Sequence, residues 1–371
     1  VLIIVVVVAV LLAATVAVGR VVWHVASGSL PLPSPLVQSQ LRSAALPTVA
    51  SPLEAGVVDV NTQLAYQNAA GAGTGILLSP SGEVLTNNHV ITGASSVSVT
   101  DVGTGRTYPA TVVGYDRSHD IAVLQVQGAS GLPTASIGDS DTVSIGDRIA
   151  AVGNAGGVGG PPTVAPGRVS ALDRTITASD AYDGTAEQLT GLIQIAAHVV
   201  PGDSGGPLVN TAGQVVGINT AASMGFHFLS PRGEGFAIPI NDAMAITKQI
   251  EAGTGSQTVH IGPTGVLGVM VQDTSAPAEP SLWGIIHRRY SLGVPAGLTI
   301  VGVVQGLPGD QAGLAAGDTI LAVDNTAIDS ATTLTTVLNW HHPGDSVRLT
   351  WLDPSGQQHD ATVALAPGPP N

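Results

Sequence analysis

Gly202-Asp203-Ser204-Gly205-Gly206-Pro207-Leu208 places one hydroxyl among three glycines and runs on into an apolar, strand-like segment. Glycines without a Cβ allow a tight turn that leaves Ser204 Oγ exposed and aims the amides of Gly202 and Ser204 at one point, as an oxyanion hole does. A serine hydroxyl attacks well only beside a base that is itself oriented by a third group. Thr86-Asn87-Asn88-His89-Val90 and Ser118-His119-Asp120-Ile121-Ala122-Val123-Leu124 supply both. His89 is the expected base, and Asp120 the carboxylate that holds its tautomer. His119 and Asp116 compete for these roles, but the apolar run starting at Ile121 follows Asp120 directly and would bury its carboxylate beside the core.

Taken singly, each of these residues is more often structural. Three complementary roles in the order His, Asp, Ser, each beside a short apolar run, predict acyl transfer. Rival chemistries fit worse. The serine loop also satisfies the nucleophile-elbow pattern of α/β hydrolases, but that fold needs a helix after the serine and partners downstream, whereas Pro207 and a strand-like run follow here. Gly153 to Gly160 lacks the Lys-Ser/Thr of a phosphate loop, and Pro161 and Pro162 break a dinucleotide reading. His341-His342 sits on no HExxH helix, so no metal site and no cofactor are expected.

The bulk numbers agree. A chain of 371 residues has length for two to three domains. Only 10% of residues are charged, and 47 glycines and 25 prolines break the chain into short elements, as in a β-rich protein. The formal net charge is −14 and Lys248 is the only lysine, so no basic surface offers itself to nucleic acid. Cysteine is absent, which excludes a disulfide framework and thiolate zinc sites.

Residues 1–23 are expected to form a transmembrane or signal segment. Up to Val18 every residue except Thr15 is Val, Leu, Ile or Ala, a run nearing the ~30 Å hydrocarbon core at ~1.5 Å per residue. That is long for a cleaved signal, so a retained anchor is the first expectation, and the absence of a polar face argues against a buried core helix. Residues 24–55 are rich in Pro and Ser and suit an extended tether. From 56 to about 240, short β-branched runs alternate with Gly, Asn and Asp, the pattern of antiparallel barrels or sandwiches. Residues 241–251 read as a helix capped by Asn241 and stopped by Gly253, closing a domain of residues 56–251. Residues 252–263 read as a linker, 264–366 as a further unit and 367–371 as a Pro-rich tail. Residues 331–340 show helical spacing of Leu334, Val337 and Leu338. The segment 272–297, with Trp283, His287, Arg288 and Arg289, reads as a solvated loop or hairpin.

The block Gly71-Ala72-Gly73-Thr74-Gly75-Ile76, the His89 and Asp120 patches, Leu192-Ile193-Gln194, the serine loop and Gly235-Phe236-Ala237-Ile238-Pro239-Ile240 resemble the bacterial HtrA-type trypsin-fold serine peptidases. Val266-Leu267-Gly268-Val269 and Gln311-Ala312-Gly313-Leu314-Ala315-Ala316-Gly317-Asp318 are similar to a PDZ domain in the HtrA arrangement. The resemblance, over about residues 56–365, implies a mainly β protein: a trypsin-like double six-stranded β-barrel with His89, Asp120 and Ser204 in the cleft, followed by one PDZ domain. It implies an extracytoplasmic endopeptidase, secreted or membrane-anchored, that cleaves exported, unfolded or damaged polypeptides. The amides of Leu267, Gly268 and Val269 would capture peptide C-termini. Homotrimers are common in that family, although residues 36–60 carry no independent sign of one. A catalytically silent chaperone or peptide-binding protein is the alternative function.

Two departures from the family pattern stand out. Ala196, Ala197 and His198 replace the usual Asp followed by two Ala, and Asp203 stands where many members have Asn. His198 and Val199 fall at the floor of the expected specificity pocket. Val199 and Val200 favour a small aliphatic side chain there, and a protonated His198 would favour an acidic one.

Overall fold

The computed structural model describes residues 56–65, 69–154, 160–180, 186–220, 226–227, 234–272 and 297–370. The expected membrane segment and tether, most of 272–297 and the core of the Gly153 to Gly160 cluster lie outside them. Among the described residues, no helix is long and apolar enough to cross a membrane.

The first barrel consists of β1 (Val57–Leu64), β2 (Ala69–Leu77), β3 (Glu83–Thr86), β4 (Ser96–Asp101), β5 (Thr107–Asp116) and β6 (Ile121–Val126). Its order is β5-β4-β1-β2-β3-β6, and β5 pairs with β6 to close it. A short helix, α1 (Asn88–Ile91), follows β3. Val58, Val60, Leu77, Val84, Ile91 and Leu124 fill the interior. Each such side chain contributes about 1.5–3 kcal/mol over leaving it in water, so the inward alternation along these strands sets their register.

The second barrel contains β7 (Arg148–Gly153), β8 (Thr163–Asp180), β9 (Ala186–Ala196), β10 (Pro207–Asn210), β11 (Val215–Thr220), the two-residue β12 (Phe226–His227) and β13 (Gly235–Pro239). Six strands run β8-β7-β10-β11-β13-β9 and close through β8–β9, while β12 extends β8 at its outer side. Ile149, Val169, Ile193, Ile195, Leu208 and Val216 form its core. The expected pair of six-stranded barrels is therefore present, and closure leaves neither with an open edge of unpaired backbone.

Helix α2 (Ile240–Glu251) leaves the second barrel and packs Ile250 against Val123 of the first. Pro239 rather than Asn241 precedes its first turn, and no side chain caps it. Asn241 instead donates from Nδ2 to Asp139 at 2.7 Å, because it already lies inside the helix. Burial, with Glu251 beside it, pushes the Glu83 carboxyl up to about 7.

The segment expected as a linker contains a strand, β14 (Val259–Ile261), paired antiparallel with β5 at Val259↔Asp116, His260↔Tyr115 and Ile261↔Gly114. Val259 joins Ile250 and Val123 in one buried cluster, which gives this three-residue run an apolar reason to dock. The C-terminal unit then builds β15 (Thr264–Val266), β16 (Val269–Gln272), β17 (Leu298–Val303), α3 (Pro308–Gln311), β18 (Thr319–Val323), β19 (Thr326–Ala327), α4 (Ala331–Leu338), β20 (Ser346–Leu352), β21 (Gln358–Ala364) and β22 (Ala366–Gly368). Its main sheet runs β16-β17-β18-β20-β21, with β19 on β18. Ser330 caps α4 by accepting from Thr333 N at 3.1 Å, and the helix ends at Leu338, two residues short of the sequence expectation. Part of the expected tail is strand β22, which pairs with β15.

Candidate active site

Residues 86–89 carry the end of β3 into the first turn of α1. Asn87 donates from Nδ2 to Asp120 O at 2.8 Å and so ties this turn to the one before β6. Asp120 holds a left-handed φ of 54°, a conformation that Asp tolerates better than most residues, and is 2% exposed. Its Oδ1 accepts from His89 N at 3.0 Å, and His89 Nδ1 lies 3.0 and 2.9 Å from Oδ1 and Oδ2. Thr220, at the end of β11, donates to Oδ2 at 3.2 Å. A carboxylate accepts only, so this network assigns the proton to Nδ1 and the lone pair to Nε2.

The serine loop is anchored to both barrels. Thr74 of β2 receives it twice: Thr74 N donates to Ser204 O at 2.8 Å, and Thr74 Oγ1 to Gly202 O at 2.7 Å. Gly205 N donates to Asn219 O at 2.9 Å, and Asn219 Nδ2 donates to Val152 O at 3.0 Å. Gly73 lies between the two halves of the site: a Cβ built on it would meet Val90 side-chain carbons at 2.7 Å and Ser204 O at 3.2 Å. One strand, β2, thus brings the residue after His89 and the serine loop within a methyl group of each other. Ser204 is only 1% exposed, unlike the open hydroxyl that the turn by itself suggests. Gly202 has φ 100°, and the amide between it and Ser204, Asp203 N, is taken by Val200 O at 3.0 Å.

His119, the rival base, is joined to Asp116 instead. Its Nδ1 is 2.8 Å from Asp116 Oδ2, its side chain is about half exposed, and this hydrogen bond raises its pKa. His198 is exposed, whereas Val199 is half-buried against Gly235 and the second-barrel core.

A trypsin-like peptidase domain matches residues 73–218, and a PDZ domain matches residues 265–364. Putative serine protease HhoA of Synechocystis sp. is 36% identical over 288 residues, 76% of this chain and 68% of the relative. The chain belongs to the HtrA/DegP family of serine endopeptidases. A probable periplasmic serine endoprotease, DegP-like, of Halomonas elongata is 34% identical over 300 residues, 80% of this chain and 56% of the relative. Among solved structures, the HtrA-type protease AlgW with tripeptide is 31% identical, covering 87% of this chain and 97% of that one, with a TM-score of 0.46. The chain spans from about half to 70% of the length of the curated relatives it matches.

Two residues of the candidate site, Thr220 and Asn219, carried no sequence signal as site residues, and Thr74 stood in a family-like block without a role of its own; strand pairing brings all three to Asp120 and the serine loop. Asp203 is held by Val200 N, which donates to Oδ2 at 3.0 Å, and by Thr163 Oγ1, which donates to Oδ1 at 3.4 Å. Burial raises the Asp203 pKa despite these donors. A carboxyl raised on folding contributes most stability below its unfolded pKa and loses it as pH rises through the folded value. Asp203→Asn, which accepts the same amide and cannot ionise, is therefore expected to melt above the parent at pH 7. Differential scanning fluorimetry should show that gap closing towards pH 4, and a gap independent of pH would contradict the assignment.

The candidate peptide-carboxylate residues lie together at the start of β16. Leu267 is buried, its carbonyl accepting from Gly309 N at 2.7 Å, and Gly268 O accepts from Val304 N at 2.9 Å. Leu267, Leu334 and Leu338 share one apolar cluster, with Val269, Val271 and Val337 packed against it. Among the described residues strand β16 ends the sheet, and α4 lies on the same cluster as Val269, the first residue of β16.

Proposed function

We propose that this chain hydrolyses exported polypeptides through an acyl-enzyme on Ser204. The observation that carries the reading is the carboxylate of Asp120 reaching His89 by both oxygens, with Thr220 as a further donor. His89 Nε2 takes the Ser204 proton as Oγ adds to the scissile carbonyl. The imidazolium is stabilised by Asp120, and the amides of Gly202 and Ser204 receive the oxyanion. Collapse of the intermediate breaks the C–N bond, His89 returns the proton to the leaving amine, and water then releases the acyl group by the reverse sequence. Location outside the cytoplasm is supported by relatives named periplasmic, and the apolar segment of residues 1–23 suits a membrane anchor. Val199, packed into the barrel, and exposed His198 fit a small apolar specificity pocket with a polar rim.

Diisopropyl fluorophosphate tests the nucleophile. Peptide mapping after exposure of the full chain should find one phosphoryl label, on Ser204. An unlabelled chain that also leaves unfolded casein intact would instead support the catalytically silent chaperone.

The C-terminal unit is proposed to bind peptide C-termini: the carboxylate at Leu267, Gly268 and Val269, and the peptide strand added to the edge of β16. Gly268 has φ 81°, and a Cβ there would lie 2.4 Å from Leu307 Cβ. Gly268→Val is therefore expected to abolish C-terminal peptide binding in a fluorescence-polarisation titration while casein cleavage persists. Unchanged affinity would refute the assignment.

A further inference from the structure

His260 of β14 is 5% exposed and sits where the first barrel, the connecting strand and the end of α4 meet. Its Nδ1 is 2.8 Å from Asn339 O, and its Nε2 is 3.2 Å from Pro263 O. Both partners are carbonyl oxygens, which only accept, whereas neutral imidazole has one N–H and imidazolium has two. One ring thus faces two acceptors that it can satisfy only when doubly protonated. We propose that His260 is a proton-operated clamp that fastens the C-terminal unit to the first protease barrel, closing when its ring takes up a second proton.

The surroundings bear on both states. Tyr115 of β5 lies 5.1 Å from the ring centre; its hydroxyl donates to Asn339 Oδ1 at 3.3 Å and meets Thr264 Oγ1 at 2.9 Å. His342 stacks on the His260 ring at 4.8 Å, with Nε2 2.9 Å from Ile261 O. Beyond it, Asp345 is 4.0 Å from His342 and 3.8 Å from His341, which also lies 3.4 Å from Asp324. On the β5 side, Asp116 accepts from Thr258 Oγ1 at 2.9 Å and holds His119. The titratable groups of the elements packed here are therefore Tyr115, Asp116, His119, Asp324, His341, His342 and Asp345. Loss of the second proton turns one ring lone pair towards a carbonyl oxygen in a buried place, a contact that water would relieve only if the junction opened.

The clamp bears directly on the strand that precedes the active site. Tyr115 and Asp116, the register partners of His260 and Val259, end β5 immediately before the turn that delivers Asp120. Docking of α4 is thereby tied to the backbone that positions the carboxylate. The inference rests on the contacts between the two units and not on the catalytic assignment.

Hydrogen exchange on the full chain tests it without using activity. Gly262 N, which donates to Val113 O, and Gly265 N, which donates to His341 O, report on the junction, and Asn219 N serves as an internal control. After correction for intrinsic exchange, protection of the two junction amides is expected to fall roughly tenfold between pH 6 and pH 8, one protonation-linked unit, while Asn219 stays level. His260→Gln should make the junction insensitive to pH, and His342→Gln should leave the dependence in place. A level wild-type profile, or a slope that survives His260→Gln, overturns the proposal. If His260→Gln does not fold, the wild-type His260 Cε1 resonance decides: its titration midpoint must coincide with that of the exchange profile, and a mismatch overturns the clamp.

Discussion

Alanine at Ser204 is expected to lower kcat by about six orders of magnitude, glutamine at His89 by a similar factor, and the double substitution by little more. The reason is geometric. In the proposed mechanism the nucleophile and its base act as one unit, so removing either would leave only the oxyanion donors and substrate binding, worth roughly 10³–10⁴ over water. Asp120→Asn should cost less, about four orders of magnitude. The carboxylate accepts from His89 N, His89 Nδ1 and Thr220 Oγ1 at once. An asparagine turns an N–H₂ towards one of these donors, and the relief available is a tautomer with the proton on Nε2, where it cannot act as a base. Stopped assays on unfolded casein, with folding checked by circular dichroism, give the comparison. A Ser204→Ala protein that retains even a hundredth of parental kcat would refute the mechanism.

Gly205→Ala should be the most damaging single methyl group in the serine loop. The residue has φ 83°, and a Cβ there would lie 2.1 Å from Thr74 O and 2.3 Å from Thr86 Oγ1. Thr86 Oγ1 donates to Thr74 O across 2.7 Å, so the methyl would be driven into a hydrogen bond between β2 and β3. Left-handed backbone costs about 1–2 kcal/mol and overpacking about 1–3 kcal/mol. Their sum is a large part of a total stability on the order of 5–15 kcal/mol. Gly213→Ala isolates the backbone share, because Gly213 has φ 77° and nothing within 4 Å of its Cβ position. Urea midpoints should fall much further for Gly205→Ala, with peptidase activity lost even in buffer. Equal midpoint losses for the two variants would show that the crowding at Thr74 is not real.

The proposed triad could be read from the sequence because each member stands beside a punctuating signal: glycines around Ser204, an apolar run after Asp120, a polar turn before His89. Chemistry of this kind is local in the chain, and composition around it narrows the roles. Other readings lacked that support. Residues 259–261 are too short to declare a strand and dock because Val123 and Ile250 lie across from them. Asn241 looks like a cap, but the turn after Pro239 is already helical, so its side chain is spent on Asp139. Thr220 had no motif at all, since its partner lies 100 residues away.

The amino-acid sequence by itself determined the short-strand architecture and supplied the chemical groups of the proposed site in the order His, Asp, Ser. These depend on hydrophobic alternation and glycine spacing, which act between near neighbours. Tertiary structure alone decided that β5 closes on β6 and β8 on β9, that Thr74 holds Gly202 and Ser204 from the opposite barrel, and that His260 lies between two carbonyls. Such contacts join residues far apart in the chain, and their partners are selected by strand register and barrel closure, which no local pattern encodes.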